Sequence, residues 1–354
     1  MRQPTLGVVA SAAVIVVSLV VIWLLGVDLF MGWGSYLLMC AIPFTVIVGA
    51  FWRGSEPAAV ARLRQPARGL GYLALAAVVA GIVGVIHWSL RGGGISPPVP
   101  MAVMTIITSV VTTFFLVIVW GGWPFSLIRN RLVAGLALLV GCYLVNAVIF
   151  QFMRFDFLAG APFAQALDPG GPFDAWSVVV VMVTALSLMF GFLLVDLWPL
   201  TRSAMLREHP LRLALVWTLT CFVLAVVVYQ VGLAVTGLPA PTFLVSVPIP
   251  FLFGEILVFN MLGGSLFAGL RQPARGLAAA LVALVAGNLL ALGYRALMPV
   301  LSGDLPAGPD GNFAAELWLA NSLLAVTFPF LAFYGDYFGL WPLAAQQEQE
   351  PVNA

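Results

Sequence analysis

Ten long apolar runs separated by short polar joints organise the chain: 6–26, 31–52, 69–90, 101–120, 132–153, 175–197, 211–235, 242–267, 276–298 and 313–338. Each is close to or longer than the roughly 20 residues an α-helix needs to cross a bilayer. None alternates polar and apolar positions as a barrel strand does. The pattern therefore predicts an all-α, polytopic transmembrane helix bundle of ten spans, forming a single domain over 1–345 with a short polar tail over 346–354. The first run follows Met1-Arg2 in the manner of a signal peptide. It lacks a small-x-small cleavage site and further spans follow at once, so it reads as a retained span.

The joints are patterned too. Arg64-Gln65-Pro66-Ala67-Arg68-Gly69-Leu70 recurs unchanged as Arg271-Gln272-Pro273-Ala274-Arg275-Gly276-Leu277. Three even-numbered runs end on Trp-Pro, at Trp123-Pro124, Trp198-Pro199 and Trp341-Pro342. Tryptophan favours the headgroup region and proline stops a helix. The joints divide the chain into five helical hairpins, at about 6–53, 68–125, 131–200, 211–267 and 275–343. A repeat with an even number of spans keeps its orientation, so these are parallel repeats about an axis along the membrane normal. A five-hairpin ring around a central pore or cavity is one arrangement of them.

Composition removes the soluble readings, since 62% of residues are hydrophobic and 8% charged. All fifteen basic residues are arginine. Twelve of them (Arg2, Arg53, Arg62, Arg64, Arg68, Arg129, Arg131, Arg202, Arg207, Arg212, Arg271 and Arg275) fall on the face shared by both termini. Arg91, Arg154 and Arg295 fall on the other. Twelve against three predicts cytoplasmic termini. Arginine-only basicity with abundant alanine, glycine and proline suggests a bacterial chain, hence a multi-pass protein of the inner membrane.

Candidate chemistry is sparse. Without lysine there is no Schiff base, and Cys40, Cys142 and Cys221 lie in apolar runs without metal spacing. HExxH, GxSxG and a mid-membrane aspartate pair are absent. His87 reads as an interfacial anchor beside Trp88. No cofactor or metal is expected, and an enzyme is disfavoured.

Glu255 is the principal candidate site. It stands in the eighth run after Pro248 and Pro250, with Asn260, Gly263 and Gly264 following. A carboxylate at that depth costs about 2.5–3.5 kcal/mol, so it must pair or hold a proton, and the flanking prolines and glycines favour a broken helix. Gln230, Asn288, Asn321 and Glu316 are the supporting polar residues of the last four runs, and Asn146 reads as interhelical glue. The outer loop 154–176 carries Asp156, Asp168 and Asp174 and reads as a solvated cap, as does 302–312. Phe114-Phe115 and Phe328 to Phe333 read as packing surface, with a hydrophobic gate as the sharper alternative.

These features point first to a permease or channel for a small solute or ion, with Glu255 as a proton or substrate site. A non-catalytic anchor or scaffold subunit, meeting a protein partner through the cytoplasmic arginine linkers, is the alternative; a lipid- or quinone-handling enzyme stands third. The lipid bilayer is the expected partner, and nucleic acid is not.

Overall fold

In the computed structural model residues 3–262 and 266–344 are described; Gly263, Gly264 and the tail expected over 346–354 lie outside the described residues. Among the described residues, nine helical runs are long and apolar enough to cross a membrane. The chain is an integral, multi-pass helical membrane protein.

The count differs from ten at one place. The first two apolar runs form a single 47-residue helical run, Thr5–Phe51, interrupted at Gly26 (φ 67°, ψ 163°) and Gly32 (φ −96°, ψ −108°). Glycine reaches these angles without a Cβ clash, so the chain redirects there without a polar loop. Within this run α1 is Thr5–Leu29 and α2 covers 35–51. The remaining runs are α3 (Ala67–Leu90), α4 (Pro100–Val119), α5 (Arg131–Phe150), α6 (Ala175–Leu194), α7 (Pro210–Thr236), α8 (Ala240–Leu262), α9 (Ala274–Ser302) and α10 (Ala314–Tyr337).

Burial sorts these helices into two layers. The apolar windows of α4, α6, α8 and α10 are 56–72% buried, whereas those of α3, α5, α7 and α9 are only 22–39% buried. Contacts follow the same division. α2, α4, α6, α8 and α10 touch in that order and α10 returns to α2, closing an inner ring of five. Around it α3 packs on α2, α5 on α4, α7 on α6 and α9 on α8, while α1 packs on α8, α9 and α10. Outward-facing residues such as Leu144, Val223 and Leu289 are exposed by 61–64%, the apolar surface that lipid requires.

Helix ends need partners for backbone groups that the helix itself leaves unpaired. The repeated heptapeptide supplies them. Gln65 Oε1 accepts the Gly69 N–H at 3.2 Å, while its Nε2 donates to the Tyr337 carbonyl at the end of α10 at 2.7 Å. Gln272 does the same with Gly276 (3.1 Å) and the Leu194 carbonyl ending α6 (3.0 Å). A third instance was hidden in the sequence as Gln3-Pro4-Thr5-Leu6-Gly7. Gln3 accepts from Gly7 at 3.2 Å and donates to the Met261 carbonyl of α8 at 2.8 Å. Where the heptapeptide is missing, other groups join the same places. Trp52 Nε1 donates to the Arg131 carbonyl at 2.9 Å, tying α2 to α5, and Trp120 Nε1 donates to Thr218 Oγ1 at 3.2 Å, tying α4 to α7. The outer helices α1, α3, α5 and α9 thus begin against the end of an inner helix, and α7 is tied to one about two turns in.

The glycines of these clips allow close approach: a Cβ at Gly7 or Gly276 would collide with the carbonyl of Met261 or Leu194. Gly254 and Gly287 play the same part between α8 and α9, facing the Ala283 and Pro250 carbonyls. Gly254→Val is expected to cost about 1–3 kcal/mol by overpacking. Gly81→Ala, with open space around it, should stay within about 0.5 kcal/mol. Thermal unfolding of both variants in the same micelles checks the contrast.

Candidate functional site: an apolar cavity on the ring axis

The inner ring encloses a cavity of about 740 Å³. All five inner helices line it, and no outer helix contributes. Its mouth lies at the end away from the arginine-rich joints, where Pro98, Phe157, Trp176, Asp174, Asn312 and Phe313 surround it. Both Phe157 and Asn312 are exposed, so the cavity reaches the surface there. The wall is aliphatic, with Met104, Val183, Leu244 and Leu252. Past the midpoints of the helices it ends on Phe114 and Phe328, whose ring centroids are 6.1 Å apart. Phe114 meets Phe190 edge-on at 5.4 Å, and Phe190 meets Phe259 at 5.5 Å. Four phenylalanines from α4, α6, α8 and α10 form the floor.

Loop 154–176 is more ordered than a solvated cap requires. Met153–Arg154 pairs in parallel with Phe173–Asp174, and Asp168 Oδ2 accepts the Phe155 N–H at 3.0 Å. This brace holds Phe157 and Leu158 over the mouth.

α8 is discontinuous, as its prolines suggested. It breaks at Val247 (φ −121°, ψ −73°), between Ala240–Ser246 and Pro248–Leu262. Glu255 lies beyond the break and is fully buried. It is not in the cavity wall: Leu252 and Ile256 face the cavity, and Glu255 turns sideways towards α6. There Ser187 Oγ donates to Glu255 Oε2 at 2.9 Å. Glu255 Oε1 has no hydrogen-bond partner among the described residues, and neither does the buried Thr184 Oγ1 one turn before Ser187. Polar atoms that no partner satisfies thus gather between two helices whose other faces line the cavity.

The other expected site residues are dispersed. Asn321 lines the cavity and approaches Met31 Sδ at 3.8 Å; it begins a π-helical stretch, Asn321–Thr327, in α10. Such stretches recur at functional sites, and this chain has others at Phe30–Gly34, Ile47–Phe51, Phe115–Val119 and Phe333–Tyr337. Glu316 is buried near the mouth and accepts from Thr242 Oγ1 at 3.0 Å and the Gly308 N–H at 3.1 Å, pinning α10 to α8 and to its own leading loop. Asn260 lies beyond the floor, its carbonyl facing Gly335. Gln230 is exposed on α7. Asn288 on α9 donates to its own helix at Leu284. Neither joins the cavity. Asn146 Nδ2 donates to the Thr105 carbonyl at 2.8 Å, joining α5 to α4. Thr105, Thr108, Ser109, Thr112 and Thr113 of α4 each donate back into their own helix, so that hydroxyl stripe is not a polar pathway.

Sequence reasoning singled out Glu255 and Asn321 and raised a central pore or cavity, but not which residues line it or where its mouth lies. The signal for Asp174 was an acid directly before Ala175-Trp176 at the head of an apolar run, an N-cap position. Comparison with known protein families, with curated proteins and with solved structures gives no match.

Ser187→Ala removes the hydrogen bond to a buried carboxyl and is expected to destabilise the fold by about 1–3 kcal/mol. Thr184→Val removes an unpaired hydroxyl and should be neutral or stabilising. Chemical denaturation of both variants in mixed micelles, monitored by tryptophan fluorescence, checks this.

Proposed function

We propose that this chain is a permease of a bacterial inner membrane. In this reading it has ten spans in a single domain, arranged as five parallel hairpin repeats, with both termini cytoplasmic and the cavity mouth on the outer face. Its substrate is a small molecule of largely apolar surface.

One observation carries the reading, the axial cavity. Protein interiors are close-packed, and pockets of about 300–1,000 Å³ are the size that holds small-molecule ligands. At about 740 Å³ the cavity is within that range. A scaffold subunit needs no axial void. An ion channel needs polar or charged groups along its length, and between the mouth and the floor this wall is aliphatic and aromatic apart from Asn321. The phenylalanine floor supports a closed gate on the arginine-rich side, so the conformation is open at the mouth alone.

Movement requires elements with two arrangements. The break at Val247 and the π-helical stretch of α10 lie in helices that line the cavity, and the glycine contact lets α8 sit close against α9 on its far side. Glu255 is the proposed coupling residue: gain or loss of its proton alters the seam between α6 and α8 without touching the substrate. Asn321 contacts the substrate, Glu316 braces the mouth, and Asn260 lies on the exit side. Gln230 and Asn288 have no part in the pathway.

Uptake of labelled apolar and amphipathic compounds into proteoliposomes tests this. Ala320→Trp, at the cavity wall, is expected to reduce flux at least about tenfold. Glu255→Gln is expected to keep binding but lose the response to a pH gradient. Flux unchanged in Ala320→Trp overturns the permease reading; a pH-gradient response retained in Glu255→Gln overturns the coupling role.

A further inference from the structure

The mouth of the cavity is chemically one-sided. Asp174 is the only charged residue in the described lining. It caps α6, its Oδ2 accepting the Ser177 N–H at 2.8 Å and Ser177 Oγ at 3.0 Å. Both bonds fall on Oδ2, and Oδ1 takes part in neither. Trp176, Phe157 and Phe313 line the same end, with the Phe157 and Trp176 rings 5.7 Å apart and tilted by 40°. A carboxylate among aromatic faces is the chemistry that holds an organic ammonium, because the ring quadrupole attracts a cation while the carboxylate supplies a full opposing charge.

The surrounding charge agrees. The loop 154–176 sets Asp156, Asp168 and Asp174 against Arg154 alone. The Arg154 guanidinium is held by Asp156 at 2.7 Å. That hydrogen bond first, and then the nearby carboxylate charges, raise it above its ordinary value. Arg154 is therefore engaged with Asp156; it also feels the charge of Asp174, its neighbour across the strand pair, but among the described residues no ion pair forms with Asp174. The loop 303–313 adds Asp304 and Asp310 and no base. Among the described residues no arginine lines the cavity, so an anionic head drawn into it would be desolvated without a partner there.

We propose that the cavity takes an amphipathic organic cation, its ammonium head at Asp174 among Trp176, Phe157 and Phe313 and its apolar body extending along the axis towards Phe114 and Phe328. This rests on the permease reading of the same cavity and names its substrate class.

The test is equilibrium binding to the purified protein in lipid nanodiscs, with empty discs subtracted. The probes are an alkylphenyl trimethylammonium and its neutral tert-butyl isostere, which differ by one atom and one charge. The parent is expected to bind the cation at least about tenfold more tightly. Asp174→Asn, which retains an oxygen able to cap α6, is expected to bring the two affinities within about threefold. Phe157→Ala should weaken the cation more than the isostere. Equal affinities in the parent, or a cation preference undiminished in Asp174→Asn, overturn the inference and leave the cavity reading in place. Binding of neither probe, or binding of both that survives Ala320→Trp, overturns the cavity reading and this inference with it.

Discussion

Five helices in a ring cannot close their own axis, and most of this structure follows from that constraint. Cylinders about 10 Å across, packed side to side in a ring of five, leave an axial hole about 7 Å wide. Side chains must fill the hole or leave it open. At the arginine-rich half Phe114, Phe190, Phe259 and Phe328 fill it. Between that floor and the mouth the wall is mostly aliphatic, and about 740 Å³ remains. The distribution of phenylalanine along otherwise similar helices decides where the axis is shut.

A ring with an open centre lacks the cohesion of a solid core, so its members must be held from outside. Each outer helix packs along an inner helix, and α1, α3, α5 and α9 start against the end of an inner helix. The glutamine clips do this economically, because a single amide satisfies a first-turn N–H on one helix and a last-turn carbonyl on the next. Both groups lie where water is scarce and an unpaired backbone group costs several kcal/mol. The proline after each glutamine removes one donor that would otherwise need a partner.

Several departures from regularity meet in α8. α8 alone among the inner helices is broken by non-helical backbone at Val247, carries the buried Glu255, and meets α9 through glycines facing carbonyls. Glu255 Oε1 in the seam with α6, and Thr184 Oγ1 one turn before Ser187 on α6, are both without partners among the described residues. A regular packing would have removed such atoms, since replacing them with apolar groups relieves their desolvation. Their retention beside the cavity is the physical basis for assigning movement to this part of the ring.

Much of this was legible along the chain. Apolar run length gave membrane-spanning helices, because a backbone in hydrocarbon must satisfy itself within the helix. The prolines before Glu255 announced a break, and a carboxylate in an apolar run announced a buried polar seam. What the chain alone could not assign was which helices form the wall. The inner and outer runs have mean hydropathies of 2.0–2.5 and 2.1–2.4 in those eight windows apart from α10 at 1.6, because a residue facing lipid and one facing a protein core obey the same solvent preference. Asp174 was legible as a loop acid and Gln230 as a polar residue at depth, yet the structure places them the other way round: the loop folds Asp174 into the mouth, and Gln230 is exposed on an outer helix. Sequence determined the elements and their polar joints through local solvation. Only tertiary packing, by setting five of those helices around one axis, decided where the cavity lies and which residues face it.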